Sequence, residues 1–313
     1  MAPTIGRQYS RKTFLRLAAG GALLPLLPQT GRSSEGSNKM HTRAIPASGE
    51  TIPIVGLGTW QAFDVGNDRQ ARERLGHVLD ELFAAGGRVI DSSPMYGHAE
   101  QVVGDLLVGR PPEPAPFVAT KVWTRGQEEG VRQMNRSATR LGKAQINLMQ
   151  VHNLLDWRAH LDTLRGWKAS GKVRYLGVTH YTNRALDDVT ALIETEALDF
   201  VQIAYSAMER SAEERLLPAA AAHGTAVIVN LPFEGGGVFR TVRNRPLPDW
   251  AAEFDCQSWA QVFLKFILGH SAVTCVIPGT GNPDHMRDNT GAGKGALPDE
   301  VGRKRIARYL KAL

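Results

Sequence analysis

The chain is poor in cysteine, with Cys256 and Cys275 the only two in 313 residues. They form no CxxC pair or other ligand spacing, which argues against a structural zinc site or a dithiol redox centre. Cys275 sits in the apolar run AVTCVIPG, where a small buried hydrophobe is the expected role. The nine histidines contain no HxH or HExxH, so no metal site is expected. No GxGxxG joins a first strand to a first helix, and an open dinucleotide-binding sheet therefore lacks its fingerprint. A membrane span is missing from the readable pattern as well. The apolar stretch at residues 17–28 has twelve residues, too few to cross a bilayer.

An excess of charge of one sign is also missing outside the first 40 residues. Arg7, Arg11, Lys12, Arg16, Arg32 and Lys39 against Glu35 give this arm +5 of the chain's net +6. The remainder carries about +1, so the isoelectric point near 9.4 makes no case for a nucleic-acid face. Within the arm, a basic SRKTFLR precedes the apolar residues 17–28 and a Gly/Ser-rich segment, the order of a secretory signal. SRKTFLR resembles the twin-arginine export motif at Phe14 and Leu15, with Lys12 in place of the second arginine. Residues 1–40 are thus expected to be an export signal and linker, and residues 41–313 the folded part. The expected location is periplasmic or exported, the alternative cytoplasmic, with no membrane attachment of the mature form.

What is present from residue 43 onward is alternation. A Ser-Gly turn in RAIPASGETIP suggests a hairpin, and eight runs rich in Val and Ile then alternate with segments of helix length. The runs are VGLGTW, RVID, FVATKV, INLMQVH, VRYLGV, DFVQIAY, AVIVN and TCVIPG. Between the first two, Leu75, Val78, Leu79, Leu82 and Phe83 fall on one helical face, closed by Gly86 and Gly87. Continuous rather than alternating hydrophobicity marks strands buried on both faces, hence a parallel sheet. Eight βα units in 273 residues match a single-domain (β/α)8 barrel with the N-terminal hairpin capping its bottom. A doubly wound sheet is the competing architecture.

Asp91, Lys121 and His152 each close one of these runs, 30 and 31 residues apart, the spacing of consecutive βαβ crossovers. In a barrel they emerge together at the carboxyl face, with Tyr96 on the loop after Asp91. IPASGETIPIVGLGTW, VIDSSPMYGHAE, FVATKVW, LMQVHN, GKVRYLGV and the closing IPGT together resemble the aldo-keto reductase family. The resemblance implies a monomeric barrel that reduces a small-molecule aldehyde or ketone to an alcohol with NADPH or NADH, and no nucleic-acid partner. Hydride has no side-chain source, so a nicotinamide is required. Tyr96 is the expected general acid, its pKa lowered by Lys121, which Asp91 holds charged; His152 is expected to orient the carbonyl oxygen.

The resemblance carries further positions into cofactor binding. Thr59 and Trp60 follow the first strand, and Thr179 and His180 occupy the place of a Ser-Asn pair that holds the nicotinamide carboxamide. Gln202 matches the family's amide ligand. Asn230 replaces the aromatic on which the nicotinamide stacks, a loss that Phe233 or a tryptophan would have to offset. Residues 234–240, EGGGVFR, offer a loop over the pyrophosphate. Gly279 and His285 stand where the family places a lysine and an arginine on the 2′-phosphate of NADPH, with Thr280 and Arg287 nearby and Asp288 and Asn289 at the adenine. Without those cations, dual or NADH-tolerant use is expected. Trp60, Trp123 and Trp157 are expected to wall an apolar substrate pocket. Two other readings are a Schiff-base lyase using Lys121 and a non-enzymatic cofactor-sensing interaction subunit.

Overall fold

The structure is a computed structural model that describes residues 39–110 and 115–313. The expected export signal lies outside the described residues, apart from Lys39 and Met40 at its end. The chain enters through an antiparallel hairpin of β1 (Thr42–Ala44) and β2 (Thr51–Pro53), with Arg43 opposite Ile52. It continues through β3 (Leu57–Gly58), α1 (Arg69–Ala84), β4 (Val89–Asp91), α2 (Ala99–Leu107), β5 (Phe117–Val122) and α3 (Gln127–Arg140). Next come β6 (Ile146–His152), α4 (Trp157–Ala169), β7 (Val173–His180), α5 (Leu186–Thr195), β8 (Phe200–Ala204), α6 (Leu216–Ala222) and β9 (Ala226–Asn230). The short α7 (Val238–Thr241) precedes α8 (Trp259–Leu268), β10 (Val273–Val276), α9 (Pro283–Gly291) and α10 (Glu300–Lys311).

Strands β3 to β10 pair in parallel in chain order. Parallel bridges Val55–Val276 and Gly58–Gly279 join the first strand to the last, with Gly56 N donating to Val276 O at 2.9 Å. The sheet is therefore the expected (β/α)8 barrel, and each of the eight apolar runs supplies one stave. Helix α1 buries Leu75, Val78, Leu79 and Leu82 as its periodicity requires. Asp68 caps its start by accepting the Ala71 N–H, and Gly86, at φ +89°, turns the chain out of it.

The hairpin closes the bottom of the barrel. Ile45 and Ile52 are fully buried and pack with Val89, Phe117, Phe200 and Ala226, which begin their strands. Burying each isoleucine is worth about 1.5–3 kcal/mol, so the hairpin is part of the core. Its turn is also held by polar contacts, since Tyr175 donates to Glu50 at 2.6 Å and pairs with Ser48 Oγ at 2.7 Å.

One buried cation has no carboxylate. Lys265 in α8 is wholly buried and donates to the carbonyls of Phe254 (2.6 Å), Lys294 (2.6 Å) and Ala296 (3.0 Å). Burial pulls its pKa below the ordinary value. It ties the loop before α8 to the loop after α9. Both cysteines are buried and free, as a packing role requires.

Candidate active site

At the carboxyl ends of the strands a cavity of about 620 Å³ is lined by Asp91, Tyr96 and His152, with Lys121 wholly buried beside Asp91. Lys121 Nζ donates to Asp91 Oδ2 at 2.6 Å and to Ser92 O at 2.7 Å. The other carboxylate oxygen accepts from Gln202 Nε2 at 2.8 Å and Gln150 Nε2 at 3.2 Å. Burial alone would discharge the lysine, but the Asp91 carboxylate, followed by Tyr96, reverses this and holds the ammonium above its ordinary pKa. Lys121 is accordingly a protonated electrostatic partner. A Schiff-base role, which needs a free amine, is disfavoured.

The Tyr96 ring lies 5.1 Å from Lys121 Nζ and meets the His152 ring edge-on, with centroids 6.1 Å apart. Its loop is pinned by Asp64, which accepts from His98 N and pairs with His98 Nδ1, both at 2.9 Å. Gly97, at φ +58°, sits against that carboxylate, where a Cβ would approach within 2.3 Å. The expected lowering of the Tyr96 pKa is corrected here. Burial raises it and outweighs the opposing charge of Lys121. The phenol therefore stays loaded with its proton at neutral pH. Burial, then Lys121 and His180, depress His152 to about 3, so the imidazole is neutral.

Other expected site residues divide in two. Thr59, Trp60, Trp123, Thr179, Gln202, Asn230, Phe233 and Gly279 all line the cavity, as do Gly235 and Gly236 of the glycine loop. That loop is anchored by Ser206 Oγ donating to Glu234 at 2.5 Å. His180, Trp157, Thr280, His285, Asp288 and Asn289 are not among the lining residues. Thr179 turns inward to Gln202, so His180, the next residue along the strand, turns away. His180 Nδ1 accepts the Thr182 N–H at 3.1 Å, and Tyr181 takes the place on the wall. Trp157 starts α4 and packs against the core under the Arg158 guanidinium, 4.2 Å away. Thr280 Oγ1 accepts the Asn282 N–H at 3.1 Å. Asp288 is engaged by Ser258 and Gln261, both at 2.7 Å, and fastens α8 to α9. His285 is exposed and Asn289 buried in α9. Arg287 is gripped by Glu81 at 2.6 Å and Asp284 at 2.7 Å.

Ser93, Met95, Gln150, Asn153 and Tyr181 stand at or beside the cavity with no role assigned to them from the sequence. Ser93 Oγ pairs with His152 Nδ1 at 3.1 Å and accepts the Met95 N–H at 3.3 Å. When Ser93 donates its hydroxyl proton to Nδ1, the neutral imidazole carries its own proton on Nε2, on the side away from Ser93. Among the described residues no group of acidic, histidine and cysteine side chains could hold a metal ion.

The family model described as aldo/keto reductase matches residues 54–304, from just after the hairpin into α10. The chain belongs to the aldo/keto reductase family. Among aldo/keto reductases it is similar to the NADH-specific methylglyoxal reductase of Escherichia coli (strain K12). Identity is 25% over 308 residues, covering 77% of this chain and 90% of the relative. The pyridoxal 4-dehydrogenase of Microbacterium luteolum is 24% identical over 327 residues, covering 82% and 94%. In fold, the chain resembles the holo form of an aldo-keto reductase from Bacillus halodurans, with a TM-score of 0.70 at 22% identity, covering 87% and 96%. An aldo-keto reductase from Klebsiella pneumoniae in complex with NADPH gives 0.71 at 22% identity, again covering 87% and 96%.

The wall from Thr179 through Gln202 to Asn230 fits the nicotinamide end of such a cofactor. It presents hydroxyl and amide groups side by side, and the buried Asn230 Oδ1 has no hydrogen-bond partner of its own. Phe233 and the backbone of Gly235 and Gly236 border the same cavity.

Proposed function

We propose that this aldo/keto reductase reduces the carbonyl of a small molecule to an alcohol, using NADPH or NADH. The observation that carries this reading is the convergence of Asp91, Tyr96, Lys121 and His152 at one cavity mouth. When bound, a reduced nicotinamide supplies the hydride to the carbonyl carbon. Tyr96 donates its phenolic proton to the carbonyl oxygen as negative charge develops there. Burial keeps the phenol protonated beforehand, and Lys121 stabilises the phenolate as it forms. Asp91, held by Lys121, Gln150 and Gln202, keeps the ammonium charged and fixed. His152, neutral and with Ser93 donating to its Nδ1, uses its Nε2–H to donate a hydrogen bond to the same oxygen and fix its direction.

Cofactor preference follows from the cations that are missing. Gly279 offers no charge, His285 is exposed outside the cavity, and Arg287 is already paired to two carboxylates. We therefore propose that both dinucleotides are used, with NADH tolerated. The N-terminal signal supports export, the folded enzyme collecting its cofactor before translocation. Fusing residues 1–40 to a reporter that works only in the periplasm tests that part, and a cytoplasmic reporter would contradict it. For the reaction itself, NAD(P)H oxidation is followed at 340 nm with a panel of aldehydes and ketones. Turnover with at least one neutral carbonyl is the expected result.

A further inference from the structure

Asn230 stands at the carboxyl end of β9, where the family resemblance implies a stacking aromatic ring. Its surroundings fix what the replacement can do. Asp91 is paired to the Lys121 ammonium at 2.6 Å, and a carboxylate in such a pair accepts. Gln202 lies 2.8 Å from Asp91 Oδ1 and must turn its NH2 group toward it. The Gln202 carbonyl oxygen then faces the other way, toward Thr179 Oγ1 at 3.2 Å and Asn230 Nδ2 at 3.3 Å. Both of these must donate, which leaves Asn230 Oδ1 as an acceptor. That oxygen is buried and has no partner. Orientation of a side-chain amide is otherwise ambiguous, but here the charge on Asp91 sets it through two amides in series.

A buried acceptor without a donor is left desolvated at a cost, and a bound group with N–H donors removes that cost. Thr179 adds to the effect, because a hydroxyl that gives its proton to Gln202 keeps its lone pairs for a donor. The wall therefore offers acceptors, and a nicotinamide carboxamide carries an NH2 group. We propose that Asn230 recognises the carboxamide NH2 of the cofactor, so that hydrogen bonding replaces ring stacking and makes binding selective for an amide on the pyridine ring. This inference rests on the carbonyl-reductase reading and deepens it.

The test is equilibrium binding by quenching of tryptophan fluorescence. NADH and NADPH are each titrated beside their reduced 3-acetylpyridine analogues, in which a methyl group replaces the NH2. Wild type should bind the amide form about tenfold more tightly than the acetyl form, the scale of one hydrogen bond. In Asn230→Leu that ratio should fall to about two or less. Asn230→Tyr, which restores the ring, should bind both forms more tightly than Asn230→Leu while still not distinguishing them. A wild-type ratio near one, or a ratio kept within twofold in both variants, would overturn the inference and leave the carbonyl-reductase reading standing. No binding of any of the four dinucleotides to wild type would overturn both.

Discussion

His152 is neutral because burial and the neighbouring Lys121 both act against its charged form, bringing its pKa to about 3. Tyr96 stays protonated because burial outweighs the lysine. The proton-donating pair is therefore in its working state over a wide range, and kcat/KM should be flat from about pH 5 to pH 9. It should fall only on the alkaline side of the ordinary tyrosine range, since burial raises the phenol's pKa. A pH–rate profile checks this, and an acidic limb centred near 6.5 would show that His152 titrates as an ordinary histidine. The same depression has a consequence for stability. The unfolded chain binds a proton at His152 between about 6.5 and 3 that the folded one does not, so this contribution is complete above pH 6.5 and declines as pH drops toward 3. Lys121→Met should cost about 3–5 kcal/mol, because it strands Asp91 as a buried unpaired charge. The double variant with Asp91→Asn should recover much of that in denaturant titrations. The four main side chains were legible from their order along the strands, since strand ends 30 residues apart are neighbours in any parallel barrel. Ser93 and Gln150 were not, because their roles arise from contacts across the mouth. Ser93 meets a histidine 59 positions away, and Gln202 reaches Asp91 across 111.

At the scale of elements, the hairpin β1–β2 and helix α8 make separable claims. Ile52 is fully buried at the floor, and Tyr96 and His152 lie at the opposite end of the staves. Ile52→Ala should therefore lower stability by about 2–5 kcal/mol while leaving KM within twofold. Chemical denaturation with parallel steady-state kinetics decides it, and a large change in KM would show that the floor and mouth are coupled. Lys265→Met removes the donor to three backbone carbonyls, that of Phe254 buried, and should destabilise the protein more than Lys304→Met, whose partner Glu300 is exposed one turn away on α10. Periodicity made the strands and α1 readable, because each buries a repeating face. It gave no sign of the Lys265 clamp, since a lysine inside an apolar helical face looks like an interruption until the carbonyls above it are known. His180 and Trp157 show the complementary failure. Position along the chain placed them at the mouth, and strand alternation and core packing turned them elsewhere.

Across the whole molecule, the uneven charge matters less to the fold than to the choice of cofactor. The barrel-bearing part carries little net charge. Arg287, the cation that the sequence offers for a 2′-phosphate, is held in a network with Glu81 and Asp284 on the surface between α1 and α9. NADH and NADPH should accordingly give kcat/KM values within about tenfold of each other. A hundredfold preference for NADPH would mean that Arg287 leaves its carboxylates for phosphate, and Glu81→Gln would then be expected to strengthen that preference. The most direct test of the central claim is carbonyl reduction by wild type and Tyr96→Phe, measured side by side with saturating cofactor. The ring remains and only the hydroxyl is removed, so kcat should fall by about 10²–10⁴ with cofactor affinity unchanged. A phenylalanine variant that reduces carbonyls as fast as wild type would contradict the account.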